Sequence, residues 1–314
     1  MQRRKFIRNT MGLGFTPVFV NNSFAKAYDN LLGLQDFTCA EVDGRSLVFI
    51  DLFGGNDGIN TVMPVQQSKY DIYAALRTTS VSGTPTTIAI PRAGSTNGAI
   101  NLDSTLPEER QIAIHPAMTA FKTLFDQGKL NVMNGVGYPN NNRSHFKAND
   151  HWLSGGDSTA SLNNLESGWI GRYLQSVYPA NFDGPTTAFP DPLGMEFGSS
   201  SSSMMFKGDN GKFANLLLTL GAGDYYNLVQ NLGTPLPVGY PGSQFKDEIA
   251  FINTVEKASD DFSIRINTVF NAGSNSITYP NTSLANQLKT VARLIKGGSK
   301  TKVFLVHHSG FDTH

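Results

Sequence analysis

The sequence predicts an α/β fold, a mostly parallel central sheet flanked by helices. Three observations carry that expectation. Ser46 to Phe53 is an apolar, β-branched and aromatic run that stops at Gly54-Gly55, the pattern of a buried parallel strand opening into a loop. Stretches with apolar residues at helical spacing then alternate with short apolar runs, as strand–helix–strand units require. Near the end, Lys302 to Val306 repeats the strand pattern directly after a helical stretch closed by Gly297-Gly298.

Between these landmarks, Ala117 to Gln127 follows His115-Pro116 with Met118, Phe121, Leu124 and Phe125 on one helical face, and Gly128 stands at the C-terminal cap. Leu130 to Val136 reads as the next strand. Ser144 to Leu153 reads as a helix beginning after Asn140-Asn141-Asn142 and stopped by Gly155-Gly156, which places Ser144 near a helix N-terminus. Residues 78–111, with Thr78-Thr79-Ser80, Pro85 and Pro91, form a polar excursion, a surface loop with at most a short hairpin. The Ser199 to Ser203 run reads as flexible surface. From Ser243 a long amphipathic helix is expected on Phe245, Ile249, Ile252, Phe262, Ile266 and Val269, with room for a break around Ser259, and a second on Leu284, Leu288, Val291 and Ile295.

Composition narrows the function. The 314 residues carry 25 Lys+Arg against 25 Asp+Glu, a formal net charge of +0, so the surplus of cations that nucleic acid or anionic lipid requires is missing. A single cysteine, Cys39, excludes an intrachain disulfide framework and a Cys-rich zinc site. Any metal here must rely on histidines and carboxylates.

The N-terminus reads as an export leader, residues 1–27, followed by a linker over 28–45 and an α/β domain over 46–314. Arg3-Arg4-Lys5-Phe6 precedes a modestly apolar stretch from Met11 to Val20 and then Ala25-Lys26-Ala27, the basic, apolar and cleavage regions of a signal peptide. The apolar stretch is shorter than the roughly 20 residues of a membrane span, so no transmembrane segment is expected. Paired arginines with a Gly- and Pro-interrupted apolar region resemble the twin-arginine signal, which hands folded proteins to its own export machinery. At the other end, a polar Asp312-Thr313-His314 cluster just beyond a strand of core character predicts a longer natural chain, with further elements to cover the sheet.

Three clusters could carry chemistry. In Gly54-Gly55-Asn56-Asp57-Gly58 a carboxylate stands in a Gly-rich loop that can approach a ligand closely or bind a cation, although Asn-Asp-Gly is also ordinary turn chemistry. In Arg143-Ser144-His145-Phe146 a hydroxyl at a helix N-terminus sits in a positive field that favours an oxyanion, with Arg143 adding fixed charge; an N-cap serine is the plain alternative. Asp312 and His314, two apart on an extended segment, can share a metal, or act as a capping Asp and an exposed His. Of the adjacent His307 and His308, at most one can join, because neighbours on a strand point oppositely. With carboxylate and imidazole ligands and no thiolate, zinc or another first-row divalent ion is favoured over calcium or magnesium.

These motifs in this order, with His115-Pro116-Ala117 and Gly135-Val136-Gly137-Tyr138-Pro139 between them, resemble the bacterial exported domain-of-unknown-function 1501 family, grouped with the alkaline-phosphatase and sulfatase-like superfamily. The resemblance spans Arg3 to His314. It implies an alkaline-phosphatase-like sheet with metal ligands at strand ends and a hydroxyl nucleophile at a helix N-terminus. Carried over, the nucleophile falls on Ser144 and the metal ligands on Asp57, Asp312 and His314, with Asp51 inside the strand a rival for the role of Asp57. The family continues beyond Asp-Thr-His with Glu-Phe-Gly-Arg and Asp-His-Gly motifs. The implied function is an exported, metal-dependent hydrolase of phosphate or sulfate esters, of small molecules or glycans, located in the periplasm or outside the cell. A non-catalytic exported binding or assembly protein on the same fold is the alternative.

The mature protein is expected to begin near Tyr28 when expressed in an exporting bacterium. N-terminal sequencing checks this, and a cytoplasmic product that retains Met1 would refute it.

Overall fold

A strand can be apolar at every position only when both of its faces are covered, and Val303, Phe304, Leu305 and Val306 are all 4% exposed or less. The computed structural model describes residues 44–141, 143–159, 162, 164–182, 184–219, 221–231 and 246–312. Strand β1 (Leu47–Leu52) leads through the glycine loop into the one-turn helix α1 (Gly58–Thr61). A small antiparallel region follows, with β2 (Val62–Pro64), helix α2 (Gln67–Leu76), the hairpin of β3 (Thr78–Val81) and β4 (Thr84–Thr87), β5 (Ile100–Asn101) and β6 (Ile112–Ile114). Helices α3 (Thr119–Asp126), α4 (His145–Ser154), α5 (Trp169–Val177) and α6 (Pro179–Phe182) come next. The chain then forms β7 (Gly194–Phe197), β8 (Asn215–Leu218), α7 (Ala222–Asn231), α8 (Lys246–Ala272), α9 (Ser283–Lys296) and β9 (Val303–His308).

The main sheet has four parallel strands in the order β1-β9-β7-β8. It is flanked by helices, the α/β class that the alternating pattern predicts. Val303 and Leu305 turn to one face and pack with Leu153 of α4, Ile170 and Leu174 of α5, Met205 and Phe206. Phe304 and Val306 turn to the other and pack with Ile266 and Val269 of α8 and Val291 and Leu294 of α9. Strand β9 is thus a central strand of this sheet, inserted between two strands that precede it in the chain.

Several sequence expectations need correction. The strand running to Val306 is covered on both faces rather than bare, because α9 and α5 lie over it. Uncovered apolar surface lies instead on the edge strand β1, where Leu47 is 49% and Ile50 44% exposed. Residues 130–136 are not a strand: an apolar run becomes a strand only by pairing, and the described residues offer it no partner, leaving Met133 and Val136 largely exposed. The excursion over 78–111 contains the expected hairpin and also β5, which joins β2 and β6 around Met63, Tyr73 and Ala113. Helix α8 passes Ser259 without interruption. No helix among the described residues is long and apolar enough to cross a membrane.

At the amino ends of β7 and β9 the sheet is pinned by a buried ion pair. Asp191, whose side chain is 0% exposed, accepts from Arg265 of α8 at 3.1 and 3.0 Å and from the Lys300 backbone N–H at 3.1 Å. One carboxylate therefore ties a core helix to the turn before β9. Removing the cation leaves that carboxylate buried without charge compensation, so Arg265→Ala should destabilise the fold by about 3 kcal/mol. The urea unfolding midpoint of the variant measures this.

Candidate active site

Strand register decides which polar side chains meet. In the parallel pairing Asp51 lies opposite His307, and Glu196 lies opposite Leu305, two residues before His307. Paired residues of parallel strands share a face, and residues two apart along one strand do too, so Asp51, His307 and Glu196 all project to the side of Leu305. The His307 imidazole bridges the two carboxylates, with Nδ1 3.0 Å from Asp51 Oδ2 and Nε2 2.8 Å from Glu196 Oε1. The other Glu196 oxygen accepts from the Ser203 N–H and from Asn215 Nδ2, both at 2.8 Å, and the Glu196 side chain is fully buried.

Strand β7 ends at Phe197, opposite Val306, so the His307 backbone has lost its partner on that side. Gln287 of α9 takes over. Its Oε1 accepts from the His307 N–H at 3.0 Å and its Nε2 donates to the His307 carbonyl at 2.9 Å. Backbone and ring of His307 are both held.

Carboxylates facing both ring nitrogens favour the doubly protonated ring of His307. Burial by itself pushes its pKa down, but the hydrogen bonds and charges of Asp51 and Glu196 outweigh that and raise it from 6.5 to about 9. The two carboxylates occupy opposite ends of the ring, so one cation cannot be bound by all three groups without rearrangement.

Just beyond the end of β1, a cleft of about 180 Å³ is lined by Asp51, Leu52, Phe53, Gly54, Gly55 and one face of α4. That face is His145, Ala148, Asn149 and Trp152, the i, i+3, i+4, i+7 set of a helix. Gly54 has φ +105°, and a Cβ there would stand 2.7 Å from the Asp312 N, so a side chain would exclude the segment after β9. A Cβ on Gly55 would stand 3.0 Å from the His145 ring. The loop glycines therefore let α4 and the Asp312 segment close in on the end of β1, and His145 Nε2 comes to 3.8 Å from Asp312 Oδ1.

Of the residues expected from sequence, Ser144 caps α4, its Oγ accepting from the Lys147 N–H at 3.4 Å. Arg143 precedes it with φ +62° in the left-handed region, its N–H bonded to Asn141 Oδ1 at 2.7 Å. Asp312 lies beside His145, which lines the cleft. Asp57 stands apart from the cleft walls, capping α1 through the Asn60 N–H and paired with Arg77. His314 lies outside the described residues. The carboxylate that reaches the cleft from the first strand is Asp51, 8% exposed. Among the described residues no group of three His, Cys, Asp or Glu is placed to hold a metal ion. Sequence reasoning missed Glu196 altogether. Its signal was a lone carboxylate in the apolar run Leu193-Gly194-Met195-Glu196-Phe197, where burial demands a partner.

No family model, curated protein or solved structure matches this chain.

A histidine whose pKa is raised in the folded state stabilises the fold fully below its unfolded value of 6.5, and that contribution is lost as pH rises through about 9. Thermal melts across this window should show the wild type losing stability relative to His307→Asn, with the gap between them narrowing as pH rises. A pH-independent gap would mean that His307 is not charged in the folded protein.

Proposed function

We propose that the chain is an exported, metal-dependent hydrolase of phosphate or sulfate esters, built on an alkaline-phosphatase-like α/β domain, with Ser144 as the nucleophile. The observation that carries this reading is the position of the cleft. It lies outside the carboxyl ends of parallel strands, where open α/β sheets bind their ligands, and α4, the helix that Ser144 caps, forms one wall.

The chain's own groups suit an anionic ester. The N-terminus of α4 and Arg143 supply positive potential for the oxygens of the transferred group. In the reaction the Ser144 oxygen loses its proton and attacks phosphorus or sulfur in line, and the bond to the leaving oxygen breaks as that oxygen takes up a proton. Water then attacks the same centre, releases the acid and returns the proton to Ser144. Carboxylate and imidazole at Asp312 and His145 fit the donor chemistry of a first-row divalent ion, zinc before calcium or magnesium, with His314 as a further ligand. Asp57 fits less well, because Arg77 already neutralises it. A cation there would supply Lewis acidity toward the ester and lower the pKa of the hydroxyl.

The second reading, a non-catalytic binding or assembly protein, is favoured by two observations. The Ser144 hydroxyl accepts a capping bond, and Asp57 does the work of a cap and an ion-pair partner.

Release of nitrophenol from 4-nitrophenyl phosphate and 4-nitrophenyl sulfate, with zinc supplied, separates the two readings. The hydrolase reading expects turnover that EDTA abolishes and that Ser144→Ala lowers by on the order of 10³-fold or more. A folded wild-type protein that turns over neither ester with zinc, manganese or calcium sinks that reading in favour of the binding protein.

A further inference from the structure

We infer that the cleft beside β1 is a subsite for a sugar ring, with Asp51 as the acceptor for ring hydroxyls and Trp152 as the apolar wall. This deepens the hydrolase reading by assigning a glycan ester as its substrate class, and its binding half can be tested without any turnover.

Three features of the cleft support the assignment. First, its size: a cleft of about 180 Å³ has room for a single six-membered ring bearing hydroxyls. Second, its polar groups: Asp51 offers only acceptors and Asn149 offers both donors and acceptors, the pairing needed to satisfy neighbouring hydroxyls, each of which donates once and accepts twice. Third, its wall: Trp152 stays 41% exposed while its ring packs edge-on against Phe49 at 6.0 Å, so an indole is held in place at the cleft instead of folding into the core. A sugar has an apolar C–H face and polar edges, and the cleft offers an aromatic surface together with fixed polar groups.

The bridge through His307 explains why Asp51 suits this task. A carboxylate that must recognise hydroxyls has to be ionised and fixed in orientation before the ligand arrives. The His307 ring holds one oxygen of Asp51 at 3.0 Å, and Glu196, itself fully buried and bonded to Ser203 and Asn215, holds the ring from the other end. Glu196 and His307 are therefore positioning residues for the cleft. A small organic ammonium ion is the competing occupant of a site with one carboxylate and an aromatic ring. The polar decoration by Asn149, His145 and the Gly54-Gly55 backbone favours the polyhydroxylated ring, since a quaternary ammonium has no N–H to donate to those groups and no lone pair to accept from them.

The test is ligand-observed NMR, with Trp152 fluorescence alongside, on the full chain titrated with methyl glucoside, methyl galactoside, N-acetylglucosamine and tetramethylammonium. At least one sugar should bind, and Asp51→Asn should weaken it about 10–100-fold, the worth of a hydrogen bond to a charged group. Trp152→Ala should weaken it as well. Glu196→Gln should weaken it while leaving a folded protein, and the downfield His307 N–H resonance that faces Glu196 should change while the one facing Asp51 remains. Asp191→Asn, at the opposite end of the sheet, should lower stability and leave the affinity unchanged, which separates positioning from general structural damage. Binding of tetramethylammonium alone, binding of nothing, or equal sugar affinity in the wild type and Asp51→Asn would each overturn the inference. If sugars bind as expected but sugar esters are not hydrolysed, the subsite stands and the hydrolase reading falls. If simple aryl esters are hydrolysed and no sugar binds, the reverse holds.

Discussion

The described structure turns on the parallel pairing of β9 between β1 and β7. Because the three strands run the same way and in fixed register, their carboxyl ends lie side by side, and Asp51, His307 and Glu196 fall on one face within hydrogen-bonding reach. A slip of one residue in either ladder would turn one member to the opposite face, against the apolar packing of α8 and α9. The bridge is therefore a consequence of register, and it also enforces register, since a buried carboxylate without its partner is costly.

Two buried carboxylates bracket β7 and do different things. Asp191, at the amino end, is tied to Arg265 and to the turn before β9. Glu196, at the other end, reaches the cleft only through His307 and Asp51. The same chemistry is thus structural at one end of the sheet, while at the other it prepares a group that a ligand can meet. What separates the two ends is the direction of the strands, with the glycine loop and α4 meeting beyond their carboxyl ends to form a concavity.

Much of the local structure was legible in the sequence. The strand before Gly54-Gly55, the helix after Ser144 with its glycine cap, the helix from Ser283 closed by Gly297-Gly298 and the final strand each follow from short-range signals, namely apolar period, caps and breakers. Strands β7 and β8 were not legible, because each is only four residues long and a periodicity needs more length than that to stand out. The error at 130–136 has the converse cause: its residue types suit a strand, but a strand exists only through the neighbour that pairs with it.

For the site, the sequence by itself determined which residue types were on offer and where local structure would put them: a carboxylate ahead of a glycine loop, a serine capping a helix, and histidines at the end of a strand. It could not determine which carboxylate would face a ligand. Asp57 and Asp51 lie six residues apart; one became a helix cap paired with Arg77, and the other became the cleft carboxylate held by His307. That choice was made by contacts spanning 256 residues between Asp51 and His307 and 111 between Glu196 and His307. Caps and periodicities act within a few residues and so leave a mark in the sequence. Strand order and register join distant segments by backbone hydrogen bonds that are the same for nearly every side chain, and only the folded sheet reveals them.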